Sequence, residues 1–104
     1  MPRRVKLGHH YYYVLTPHEL RDGNFRGKNV VTEGIVDDKP LVEFYTLESP
    51  NWRATFHVDG LMVEFPGNPC VGKGDWVKVY GRFLGDCIKA NALETEKALF
   101  VTEE

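Results

Sequence analysis

GDWVKVYGRF, residues 74–83, alternates with a period of two. Val77, Val79, Gly81 and Phe83 fall on one side, and Trp76, Lys78, Tyr80 and Arg82 on the other. Successive side chains of a strand point to opposite faces, so the first set predicts a core face. The second set mixes two large aromatics with two cations. It suits either packing, with Trp76 and Tyr80 covered by the N-terminal Tyr11–Tyr13 segment and Lys78 and Arg82 lying along the surface, which is the expected use, or a face that holds something flat and negatively charged.

Downstream of this strand, Gly85-Asp86 marks a turn and CIKANAL, 87–93, reads as a further strand. Upstream, LMVEFPGNPCVGKG, 61–74, is punctuated by Pro66, Gly67, Pro69, Gly72 and Gly74 and is expected to be a connection, with one short helical turn over 61–65. Before it come KNVVTEGIV (28–36), LVEFYTL (41–47) and WRATFHV (52–58), separated by the turn signals DDKP and ESPN, with Asp59-Gly60 closing the last pair. Gly34 inside the first of these predicts a bulge or sharp bend. The expected fold class is therefore all-β: five strands and no long helix, closing into a small barrel of the OB-fold type. Its predicted core contains Ile35, Phe56, Val58, Val77, Val79 and Phe83, with Leu41, Tyr45 and Leu47 inward on the second strand.

Residues 1–26 read as an N-terminal extension. VKLGHHYYYVL is an extended segment or short strand laid on the domain, and Thr16, Pro17 and Glu19 form a capping box that opens a short helix. Asp22-Gly23-Asn24 ends it. The barrel is expected over 27–93, and 94–104 is an acidic tail or short strand.

A chain of 104 residues with 42% hydrophobic content suits one small core. No run approaches the roughly 18 apolar residues of a membrane helix, and MPRRVKLGHH is not followed by an apolar signal region, so no membrane association and a cytoplasmic location are expected. Cys70 and Cys87 have neither CxxC nor zinc spacing and are expected to be reduced thiols. No metal or other cofactor is expected. The net charge of −2 conceals a gradient, since residues 1–36 carry a balance of +3 and residues 85–104 one of −3. Catalysis is not expected: the chain offers no Ser/His/Asp set or P-loop, and GKGD at 72–75 lacks the longer phosphate-binding context.

YYVLTPHEL, VVTEGIV, a strand pair ending in VDG, GKGDWVKVYGRF and IKANAL together resemble, over most of residues 11–93, the OB domain of the haem chaperone of cytochrome c maturation. That family implies a membrane anchor and a haem-binding histidine after the last strand. Here NALETEKALFVTEE, 91–104, contains no histidine, so the resemblance implies an architecture and at most a soluble relative without the haem chemistry. The chain also resembles OB-folds of the nucleic-acid-binding type, which use the outer face of strands two and three. That resemblance implies binding of single-stranded DNA or RNA through Phe44, Trp52, Arg53 and His57, gathered on one outer surface, with Trp76, Lys78, Tyr80 and Arg82 as the further set. Exposed rings would stack on bases and cations would track phosphates. The alternative is an OB module whose exposed aromatics meet a protein partner, which the negative net charge favours.

Overall fold

The computed structural model describes residues 3–45 and 51–101. The strands are β1 (Arg4–Leu7), β2 (His10–Val14), β3 (Asn29–Ile35), β4 (Leu41–Tyr45), β5 (Asn51–Val58), β6 (Leu61–Phe65), β7 (Trp76–Phe83), β8 (Cys87–Thr95) and β9 (Leu99–Val101), with one helix, α1 (Pro17–Asp22). They form a nine-stranded sheet in the order β1-β2-β3-β7-β8-β6-β5-β4, with β9 on β8.

The all-β expectation holds, but the five-stranded closed barrel does not. The sheet is open: between β3 and β5 there is a single bridge, Val36 to Val58, rather than a continuous ladder. Three segments account for the strand count, the first two of them read differently from sequence and the third, β9, falling in the stretch expected as an acidic tail or short strand. LMVEF is not a helical turn but β6, antiparallel to β5 and parallel to the start of β8. Its burial alternates, with Leu61, Val63 and Phe65 inside, and the proline that suggested an irregular link stands just past its end. At the other end, the N-terminal segment is a hairpin with a two-residue turn, Gly8-His9, in which Gly8 takes φ +65°, a conformation glycine adopts without a Cβ penalty.

The main core lies on the face expected from residues 74–83: Val77, Val79 and Phe83 pack with Phe56, Val58, Val63, Ile88 and Leu93, and Leu20 of α1 joins them. Both reciprocal bonds of the capping box form, Glu19 N–H donating to Thr16 Oγ1 at 3.1 Å and Thr16 N–H to Glu19 Oε1 at 2.9 Å. The Arg21 guanidinium donates to the Asp59 carbonyl at 2.7 Å, tying the helix to the β5–β6 turn.

Ile35 is not a core residue; it is 46% exposed. Val30 and Val36 point into the main core, and the pleat then sends Ile35 to the outer face. Gly34 is not at a bulge, because β3 and β7 stay in register through it. It is a close approach: a Cβ there would stand 2.5 Å from Asp59 Oδ2 and 2.8 Å from Val58 Cγ1, where the ends of β3 and β5 meet. The bulge lies on β8, where Asn91 is extra between pairs Tyr80–Ala92 and Gly81–Ala90.

A second, smaller core sits on the outer face. Only Tyr13 and Val14 of β2 pair with β3, in parallel, and the hairpin then folds back across the sheet. Tyr12 is buried against Val31, Tyr80 and Ala92, with Val5, Leu7 and Val14 around them.

Candidate functional site

The β4–β5 hairpin separates the residues expected to act together. Phe44 pairs with Trp52, and Glu43 with Arg53, in an unbroken antiparallel register. Residues directly opposite share a face, and faces alternate along the strand. Val42, Phe44 and Trp52 therefore lie on the same face as buried Ala54 and Phe56, while Leu41, Glu43, Arg53, Thr55 and His57 lie on the other. Phe44 and Trp52 do not share a surface with Arg53 and His57. The inward placement of Leu41 is corrected with it, since Leu41 is 61% exposed. The expected inward Leu47, and most of the ESPN turn, lie outside the described residues. The sequence carried the correction: Trp52 has the same parity as Ala54, Phe56 and Val58.

Phe44 and Trp52 are each about half exposed, and their ring centroids are 4.8 Å apart with planes tilted by 50°. They continue the core face past the end of the core, so they form an aromatic pair open to solvent on the β4–β5 hairpin. The connection at its root is clamped. The Asp38 carboxylate accepts from the His57 backbone N–H and from His57 Nδ1, both at 2.9 Å, and Asp37 accepts from the Gly60 N–H at 2.6 Å. The two bonds from His57, its backbone N–H first, hold the Asp38 carboxyl below the ordinary carboxylate range. An ionised carboxylate only accepts, so His57 Nδ1 carries the proton of that bond.

The strand row Trp76, Lys78, Tyr80 and Arg82 is not one surface either. Tyr80 is only 7% exposed; its ring meets Tyr12 edge-on at 5.4 Å, and Tyr12 Oη donates to Asn91 Oδ1 at 3.3 Å. The N-terminal hairpin therefore covers the middle of the row. Lys78 stands between Glu33 on β3 and Glu94 on β8, with its ammonium 5.7 Å from the Tyr80 ring centroid. Trp76 is half-buried beside Ile35 and lines a cleft with Asp75, Glu96 and Lys97.

Arg82 is exposed and lies directly across from Lys89, which in turn is level with Glu64. This places Arg82 on the outer face that β5 also presents, so Arg53, His57 and Arg82 share a face among Glu43, Glu64 and Lys89. Lys89 was missed, although alternation in CIKANAL points it away from Ile88. Cys87 is buried on this sheet, and burial, with Asp86 beside it, pushes its thiol up. Cys70 is exposed, and both cysteines are free.

Among the described residues no group of three or more His, Cys, Asp or Glu side chains is arranged to hold a metal. Among the same residues no helix is long and apolar enough to cross a membrane. The chain matches no family model, no curated protein and no solved structure.

Proposed function

We propose that the chain is a non-catalytic binding module of OB-like strand order whose ligand is single-stranded DNA or RNA, contacted by the Phe44–Trp52 pair. Five of the nine strands support the architectural part. Taken in chain order, β3, β5, β6, β7 and β8 run through the sheet as β3-β7-β8-β6-β5, with β6 and β8 parallel and the others antiparallel, and the bridge Val36–Val58 joins the two ends. This is an open version of the OB arrangement, in which β4 belongs to the connection between the first and second strands. That connection is one of the two loops with which OB domains hold oligonucleotides.

The observation that carries the functional part is the half-exposed Phe44–Trp52 pair. Base stacking tolerates any sequence, because every base has a π-face, and one aromatic contributes about 1–3 kcal/mol. Trp52→Ala and Phe44→Ala are each expected to weaken binding of labelled oligo-dT or oligo-U by about that amount. Unchanged affinity in both variants sinks the proposal for this pair.

A protein partner is the second reading, favoured by one feature. β4 pairs only with β5 among the described residues, and Leu41 and Phe44 on it are exposed, so it offers an apolar edge to an added strand. Salt separates the two: phosphate contacts weaken steeply as salt is added, and apolar strand addition does not.

A further inference from the structure

We propose that the outer face of the β1–β2 hairpin, formed by Arg4, Lys6 and Tyr11, is a second contact surface for single-stranded nucleic acid and supplies the phosphate contacts that the Phe44–Trp52 pair lacks. The inference rests on the reading of the ligand given above, but on different residues.

The first acidic residue of the chain is Glu19; before it stand Arg3, Arg4, Lys6, two adjacent histidines and three consecutive tyrosines. Folding sorts these by alternation. Val5 and Leu7 pack toward Tyr12 and Tyr80, which turns Arg4 and Lys6 outward. On the partner strand Tyr12 is buried, so Tyr11 faces out and is 55% exposed. Lys6 and Tyr11 are direct cross-strand partners. The Arg4 guanidinium lies 5.4 Å, and the Lys6 ammonium 5.8 Å, from the centroid of the Tyr11 ring.

An exposed aromatic flanked by two cations matches an unpaired base flanked by two phosphates. Cation–π attraction at an exposed site is worth only about 0.5–1 kcal/mol, and it does not require two like charges on one side of a strand. A surface kept merely soluble intersperses both signs. Lys78 shows that pattern on this same sheet, standing in register with Glu33 on one side and Glu94 on the other, whereas Arg4 and Lys6 stand in register with Tyr13 and Tyr11 and with no carboxylate. The platform is also held in place before any ligand arrives: Tyr12 is locked onto Tyr80 and Asn91, and Val14 N–H donates to the Arg3 carbonyl at 2.7 Å. Little ordering entropy then remains to be lost on binding.

The test is titration of the full chain with labelled oligo-dT and oligo-U at several salt concentrations. Arg4→Ala and Lys6→Ala are each expected to make the log–log salt slope shallower by about 0.7, the single-strand value per phosphate contact. Tyr11→Ala should weaken binding by about 5- to 150-fold at fixed salt, and Tyr11→Phe, which keeps the ring, by markedly less. An unchanged urea midpoint verifies that each variant is folded. Unaltered slope and affinity in all these variants, with loss in Trp52→Ala, overturn the hairpin surface and leave the Phe44–Trp52 reading standing. Loss in the hairpin variants with none in Trp52→Ala or Phe44→Ala does the reverse. Equal competition by a duplex of the same length overturns the stacking role of Tyr11, and absence of binding by the unaltered chain at low salt overturns both proposals.

Discussion

Replacing Tyr80 by alanine tests whether the aromatic and cationic side of residues 74–83 is a packing face or a ligand face. Tyr80 is 7% exposed and closes the small outer core together with Tyr12, Val31 and Ala92. Truncating a buried aromatic to alanine costs about 3–5 kcal/mol, a large part of the roughly 5–15 kcal/mol that stabilises a domain of this kind. Of that, about 0.5–1.5 kcal/mol belongs to the edge-on ring pair itself. The Tyr12–Tyr80 double-mutant cycle should return that amount as coupling, because the ring centroids are 5.4 Å apart at 78°. Urea unfolding reads the total: with an m-value of about 1–3 kcal/mol per molar, the Tyr80→Ala midpoint should fall by at least about 1 M. A loss below about 1 kcal/mol would refute the reasoning, since a residue under the hairpin cannot be emptied so cheaply. A variant of full stability that no longer binds oligonucleotide would place Tyr80 on the ligand face instead.

Phe56 is fully buried in the main core, and Phe56→Ala should cost about 3–5 kcal/mol in the same assay; an effect near zero would remove it from the core. Asp38 makes a pH-dependent contribution. Its folded-state pKa lies below the unfolded value, so the stabilisation is fully present above the ordinary carboxylate range and is lost as pH falls through the lowered value. Stability measured against pH on the acid side should therefore fall less steeply in Asp38→Asn than in the unaltered chain, and identical profiles would contradict the clamp. For the thiols, exposed Cys70 should alkylate in the folded protein, and Cys87, buried and with its thiol pushed up, only on unfolding. Two rapid modifications under native conditions, or a two-hydrogen mass deficit before reduction, would contradict this arrangement.

Local chemistry made much of the chain legible. The core side of residues 74–83 follows from period-two alternation, and the helix from a cap, a proline and a glutamate that satisfy one another within four residues. These depend on neighbours in sequence, so no knowledge of the rest of the fold is needed. The β6 strand was legible too, in the alternation of Leu61, Val63 and Phe65, but the prolines and glycines beyond it made the whole stretch look irregular. Trp52 belonged by parity with Ala54 and Phe56, and the likeness to a ligand-binding face set that aside.

Beyond the N-terminal cover over Tyr80, what each outward residue faces was decided by tertiary structure. Tyr80 and Arg82 are two apart on one strand side, yet one lies under a hairpin from the other end of the chain and the other is exposed beside Lys89. Lys78 lies between carboxylates contributed by β3 and β8, Glu33 from well upstream in the chain and Glu94 from the strand that follows. Ile35 and Val36 are adjacent and chemically alike, and which one is buried depends on where the end of β3 meets β5. Alternation determines that a strand has two faces; only the strand order and the path of the covering segments determine what each face meets, because those contacts join residues whose separation in sequence carries no signal of their proximity.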